Sequence, residues 1–136
     1  VKYAHEKGPL KDQAKKLANK DLVWLAINSS APGRQGHGIE KNKLAKAKYE
    51  MTHPILIDES GSVGQAYGAK TTPHIFIIDS RGILVYKGAL DNAPLGTVDG
   101  KKYINYVNDA VSALRSNKNV TTAQSNAYGC SIKYAR

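Results

Sequence analysis

The sequence is poor in sulfur: its 136 residues include one cysteine and one methionine. Because Cys130 is alone, an intrachain disulfide and a multi-cysteine zinc site are excluded within these residues. No apolar run approaches the roughly 20 residues that a membrane-spanning helix needs. The first eight residues also lack the apolar core and the small-residue cleavage site of a signal peptide.

Acidic residues are scarce as well, since 11 Asp and Glu face 20 Lys and Arg and the net charge is +9. A nucleic-acid-binding chain would pair such charge with stacking aromatic side chains or a recognition helix. The lysines are instead scattered through amphipathic patterns, as at Lys11, Lys15 and Lys16. We therefore expect a solvated basic surface and no nucleic-acid partner.

Motifs for common cofactors are missing too. Neither GxGxxG nor GxxxxGK occurs, so nucleotide binding has no support. His5, His37 and His53 are isolated from one another and from carboxylate clusters, which gives no support for a metal site. Asp58 and Glu59 are adjacent, so they would point to opposite faces of a strand and are interpreted as a turn.

Apolar periodicity predicts alternating helices and strands. Helices are predicted at 9–19, 39–51, 62–68 and 101–116, with Ser62 and Asp99 as candidate N-caps. Strands are predicted at 22–27, 54–57, 75–78 and 83–86, with the last two joined as a hairpin by residues 79–82. The continuous apolar run at 22–27 indicates a strand covered on both faces.

This order predicts an α/β sandwich, with a mixed sheet and helices on both faces. We assign residues 1–116 to the domain and residues 117–136 to a C-terminal tail that carries Cys130.

Three segments together resemble a known family. They read WLAINSS at 24–30, YGAKTTPH at 67–74 and YGCS at 128–131. In this order, and with the predicted elements between them, they are similar to the redoxin branch of the thioredoxin-like fold. That branch includes alkyl hydroperoxide reductases and thiol-specific antioxidant proteins, and the segments look most like a subgroup of bacterial redoxin-domain proteins. The resemblance covers nearly the whole chain.

The resemblance implies a site around Pro73. It implies a cis peptide bond before Pro73, with the backbone of Thr72 open to an extended substrate and His74 beside the site. His74 tunes a thiolate, binds substrate or has a structural role. The family's nucleophilic cysteine lies at the N-terminus of its first helix, after a central strand. Both would precede Val1. We therefore expect a fragment of a longer chain that lacks the first central strand and, by itself, normal activity. The alternative is that another segment takes the place of that strand in the sheet.

The resemblance implies a thiol-dependent oxidoreductase that carries out thiol–disulfide exchange or peroxide reduction. It implies no metal or organic cofactor, and a thiol or disulfide protein partner or a peroxide as substrate. The resemblance points to exported bacterial proteins, while the residues themselves leave an exported and a cytoplasmic location open. Cys130 is either a resolving thiol or a cysteine that packs the tail against the domain. The alternative function is a non-catalytic module that holds an extended peptide or a protein partner with the Thr72 edge and the 33–38 loop.

Overall fold

The computed structural model describes residues 2–135, in which helices and strands alternate as the sequence pattern predicts. By contacts within the chain these residues divide into two units, residues 2–70 with 131–135 and residues 71–130. The first unit contains α1 (Lys2–Glu6), α2 (Leu10–Leu17), β1 (Ala26–Asn28), α3 (Ile39–Lys48), β2 (Ile55–Ile57) and α4 (Ser62–Ala66). The second contains β3 (Thr71–Thr72), β4 (Ile75–Ile78), β5 (Leu84–Gly88), a 3-10 turn (Pro94–Gly96) and α5 (Tyr106–Arg115). A last strand, β6 (Cys130–Ser131), follows at the boundary.

The strands of the predicted mixed sheet form three two-stranded sheets in the described residues. β1 and β2 pair in parallel, with Ile27 opposite Leu56. β4 and β5 pair antiparallel, with Ile77 opposite Tyr86. β3 pairs with β6. Parallel and antiparallel pairing are therefore both present in these residues, but in separate two-stranded sheets.

The apolar run at 22–27 is not covered on both faces, so that prediction is wrong. Hydrogen bonding makes only its last two residues part of β1, and Val23, Leu25 and Ile27 are exposed. The intervening Trp24 and Ala26 are half-buried. Because successive side chains of an extended segment point to opposite faces, one face is covered and the other lies open.

The helices of the first unit also differ from their predicted bounds. α1 is not anticipated by the sequence pattern, and α3 ends at Lys48, before the predicted end at 51. Leu44, Ala47 and Met51 lie at helical spacing in the sequence, yet Leu44 is exposed and α3 buries none of its residues. In α2, Leu10, Ala14 and Leu17 lie at helical spacing, and Ala14 is buried.

The N-terminus of α4 is capped by an acid rather than by Ser62. Ser62 is the first helical residue, and Gly61 takes the N-cap position with a φ of 75°. The buried carboxylate of Asp58 accepts hydrogen bonds from the backbone N–H groups of Val63 (3.2 Å) and Gly64 (2.9 Å) and from the Ser29 hydroxyl (2.7 Å). An acid four residues upstream thus satisfies helix donors that would otherwise be unpaired.

The hairpin of the second unit follows the prediction closely. In its turn, Asp79 Oδ1 accepts hydrogen bonds from the N–H groups of Arg81 and Ile83, both at 2.9 Å. Gly82 has a φ of 81°, which glycine adopts without steric cost.

The long C-terminal helix, α5, starts later than predicted. Its N-cap is Asn105, whose side chain accepts a hydrogen bond from Asn108 N–H at 2.9 Å, so Asp99 is not the cap. Val107, Ala110 and Val111 are buried, as the periodicity predicts. None of the helices in residues 2–135 has the length and hydropathy that crossing a bilayer would require.

Candidate functional site

The Thr72–Pro73 dipeptide lies where β3 ends and β4 is about to begin. The peptide bond between the two residues is cis. Thr72 is exposed and Pro73 is half-buried. Thr71 Oγ1 donates a hydrogen bond of 3.0 Å to the Pro73 carbonyl, which ties the two sides of the bend together.

Cys130 lies on the strand that pairs with Thr71–Thr72. Its thiol is free and the residue is exposed. The fold thus brings Cys130 and Thr72 together although they are far apart in the sequence. The backbone of β3, which the family resemblance assigns to an extended substrate, is paired here with a segment of the same chain.

Gly129 allows the close approach of these two segments. Its φ is 141°, a conformation that L side chains rarely adopt. A Cβ at this position would collide with the carbonyl group of Thr72. Since that obstacle is backbone rather than a flexible side chain, only glycine fits between Tyr128 and Cys130.

Asp91 anchors the segment just before Gly129. Its carboxylate is buried and accepts hydrogen bonds from the Tyr128 hydroxyl, from the Tyr103 hydroxyl at 3.1 Å and from Ala93 N–H at 3.0 Å. Burial, followed by the neighbouring negative charge of Asp91, raises the pKa of Tyr103 above its ordinary value. Tyr103 therefore remains a hydrogen-bond donor to Asp91 at neutral pH.

Ser125 attaches the same segment to the hairpin. Its N–H donates to the Lys87 carbonyl at 3.1 Å, and its hydroxyl oxygen accepts from Ala89 N–H at 3.0 Å. The Ser125 hydroxyl is also 2.7 Å from that of Tyr86, which donates to the Ala89 carbonyl. Burial raises the pKa of Tyr86 to about 12. These hydrogen bonds hold the segment that starts at Ala123 against β5 and the residue that follows it.

His74 lies beside Pro73, as the sequence order requires. It is half-buried, and its ring stacks on that of Phe76 with centroids 4.5 Å apart. This contact fixes the imidazole at the start of β4.

The glycine-rich loop at 33–38 belongs to the first unit. The carbonyl of Gly36 accepts from the side-chain amides of Asn28 (2.9 Å) and Asn42 (3.1 Å). His37 Nε2 is 2.5 Å from Glu59 Oε1. These contacts tie Gly36 and His37 of the loop to β1, α3 and the turn after β2. Across residues 2–135, no three His, Cys, Asp or Glu side chains are grouped as a metal ion would need.

Sequence reasoning missed Asp91, Tyr103 and Ser125 as parts of this region. Asp91 stands at the start of a polar stretch that the pattern assigns to a loop, and nothing local distinguishes a buried carboxylate from a solvated one. The usable signal is the YGCS segment at 128–131, in which a tyrosine and a glycine directly precede Cys130.

Comparisons with known proteins agree with this architecture. A family model described as Redoxin matches residues 9–104. A crystal structure of a hypothetical protein from Sinorhizobium meliloti is 34% identical with a TM-score of 0.85, and the match covers 99% of this chain and 73% of that one. A crystal structure of an uncharacterized conserved protein from Geobacillus kaustophilus is 28% identical with a TM-score of 0.80, covering 99% and 70%. The search of curated proteins gave no match. These findings agree with the predicted thioredoxin-like α/β fold.

Proposed function

Because the chain belongs to the Redoxin family, we propose that it is a thiol-dependent oxidoreductase whose Cys130 resolves an oxidised sulfur through disulfide exchange. The observation that carries this proposal is the pairing of the Cys130 strand with Thr71–Thr72, next to Pro73. A cysteine that only filled the core would be buried, whereas Cys130 is exposed.

The proposed chemistry starts from the Cys130 thiolate. In the first route Sγ attacks one sulfur of a disulfide, an S–S bond forms to Cys130, the original S–S bond breaks, and the second sulfur leaves as a thiolate. In the second route the acceptor is a cysteine that a peroxide has oxidised to a sulfenic acid. Cys130 Sγ attacks that sulfur, an S–S bond forms, the S–O bond breaks, and the hydroxide that leaves takes up a proton from solvent to become water.

Cys130 is the only cysteine among the 136 residues. The acceptor sulfur must therefore belong to another cysteine. A partner protein or a cysteine outside these residues supplies it. Thr72, Pro73 and His74 frame the position at which that sulfur meets Cys130. In this role Thr72 holds the Cys130 strand, and the stacked His74 lines the start of β4.

Glutathione disulfide tests the proposal. The folded chain is mixed with this probe, and mass spectrometry follows the appearance of one glutathionyl adduct on Cys130. We expect the adduct to form roughly ten-fold faster in the folded chain than in urea, because reactive thiols depend on their folded surroundings.

Two variants control this experiment. Cys130→Ser should form no adduct, and Ser131→Ala, a change at the neighbouring exposed residue, should keep the wild-type rate. An adduct that forms no faster in the folded chain than in urea would show that the fold does not activate Cys130, and the proposal would be wrong.

A further inference from the structure

Asp91, in the second unit, is a buried carboxylate that accepts hydrogen bonds from three donors. Asp91 is 2% exposed, and its two oxygens share three donors. Ala93 N–H and the Tyr128 hydroxyl are bound to Oδ1, and the Tyr103 hydroxyl is bound to Oδ2. A buried carboxylate with this many donors makes charge-assisted hydrogen bonds, which are stronger than neutral ones.

The two tyrosines connect Asp91 to different parts of the chain. Tyr103 lies in the segment before α5. Tyr128 lies two residues before Cys130, and between them Gly129 fits against the Thr72 carbonyl without room for a Cβ. A displacement of Tyr128 would therefore move Gly129 and, with it, the strand that bears the thiol.

We propose that Asp91 is a positioning residue for Cys130, and that its hydrogen bond to the Tyr128 hydroxyl holds the thiol-bearing strand against Thr72. The inference rests on the proposed function for its catalytic consequence. Its structural part, the anchoring of residues 126–131, stands independently of any redox activity.

Tyr103 provides the matched control. Tyr128→Phe and Tyr103→Phe each remove one hydroxyl from the same carboxylate and keep the ring. Both variants should lose similar stability, as urea unfolding would report. Only Tyr128→Phe should affect the Cys130 strand.

Amide hydrogen exchange of the full chain measures the anchoring directly. In Tyr128→Phe we expect exchange at residues 126–131 to quicken roughly ten-fold, while α5 keeps its protection. In Tyr103→Phe the change should be confined to residues around 91–104. Unchanged exchange at 126–131 in Tyr128→Phe would overturn the anchoring.

The rate of glutathione disulfide capture by Cys130 tests the functional part. We expect Tyr128→Phe to slow capture roughly ten-fold and Tyr103→Phe to stay within about two-fold of wild type. Faster exchange at 126–131 with unchanged capture would overturn the positioning role. If the wild-type chain itself shows no fold-dependent capture, the proposed function fails, and exchange still decides whether Asp91 anchors the strand.

Two substitutions at Asp91, one that keeps an acceptor oxygen and one that removes it, test whether the carboxylate positions Cys130. Asp91→Asn keeps an acceptor oxygen for Tyr128 and Ala93, so capture should stay within about three-fold of wild type. Asp91→Ala removes the acceptor and should match Tyr128→Phe. Equal capture by Asp91→Ala and wild type would contradict the proposal.

Discussion

The two units of the chain use their apolar residues differently. In residues 71–130 the buried apolar side chains come from β5, the loop after it and α5: Tyr86, Ala89, Leu90, Ala93, Val107, Ala110 and Val111. In the described part of the other unit the buried apolar residues are Ala14 and Ala31, and larger residues such as Val23 and Leu44 are exposed. An apolar sequence thus identifies a strand or a helix without determining whether its faces are covered.

Two apolar runs illustrate this difference. Residues 75–78 form β4, which pairs with β5 over four register positions and is in contact with α5, and three of its four side chains are half-buried. Residues 22–27 contribute only their last two positions to β1, and their alternate side chains lie open. The runs are similar in composition, so the difference arises from the neighbours that each one meets.

The prediction with the largest expected effect makes the same change, valine to alanine, at a buried position and at an exposed one. Val107 is 1% exposed and Val23 is 79% exposed. Val107→Ala should lower the free energy of unfolding by about 2 kcal/mol, because it removes buried methyl groups and leaves a cavity. Val23→Ala should change it by less than about 0.5 kcal/mol. Urea unfolding measures both, and equal losses would contradict the contrast.

A second test addresses the polar interior of residues 2–70. Asp58→Ala leaves the N–H groups of Val63 and Gly64 and the Ser29 hydroxyl without their acceptor. We expect a loss of about 1–2 kcal/mol in the free energy of unfolding, whereas Asp58→Asn, which keeps one carbonyl oxygen, should lose less. An Asp58→Ala variant as stable as wild type would mean that the cap contributes little.

The smallest expected effect is a pH dependence in the same unit. Burial, aided by His53, lowers the pKa of His5 from 6.5 to about 4. As the pH falls from 6.5 towards 4, the unfolded state binds a proton that the folded state does not, so stability is lost over this range and is fully present above it. The ring centroids of His5 and Tyr49 are 4.9 Å apart, and His5→Phe keeps a ring at this position. In this variant the urea midpoint of unfolding should depend less on pH between these two values. A curve as steep as that of wild type would contradict this assignment.

Asp58 should cause a second loss of stability, at a lower pH than the loss caused by His5. Burial raises the pKa of Asp58, but the hydrogen bonds from Gly64, Ser29 and Val63 outweigh it and hold the pKa below 3.8. The contribution of Asp58 is therefore present above that pH and is lost in more acidic solution. The Asp58→Asn variant should lack this acid-induced loss, which distinguishes it from the effect of His5.

Local signals in the sequence were enough for the hairpin and the buried face of α5. Asp79 and Gly82 specify the turn through contacts within a few residues, and Val107, Ala110 and Val111 repeat at helical spacing. The family resemblance rested on segments of the same local kind, and the redoxin match agrees with it.

The remaining features depend on residues that are distant in the sequence. Asp91 and Tyr128 are 37 residues apart, and the pairing of β3 with β6 joins even more distant segments. A single sequence carries no record of such pairs, so the sequence pattern does not predict that residues 130–131 pair with β3. Asp58 was missed for a different reason, because an acid that caps a helix resembles any other turn residue.

The central claim is that Cys130 is reactive because its strand is held against Thr72. Gly129→Ala tests it most directly, with Gly100→Ala as the control, because Gly100 also has a positive φ but a Cβ there would meet no neighbour. The measurement is the rate of glutathione disulfide capture by the folded chain. We expect Gly129→Ala to react at the rate of the urea-unfolded chain and Gly100→Ala to stay within about two-fold of wild type. A Gly129→Ala variant that captures the probe as fast as wild type would contradict the account.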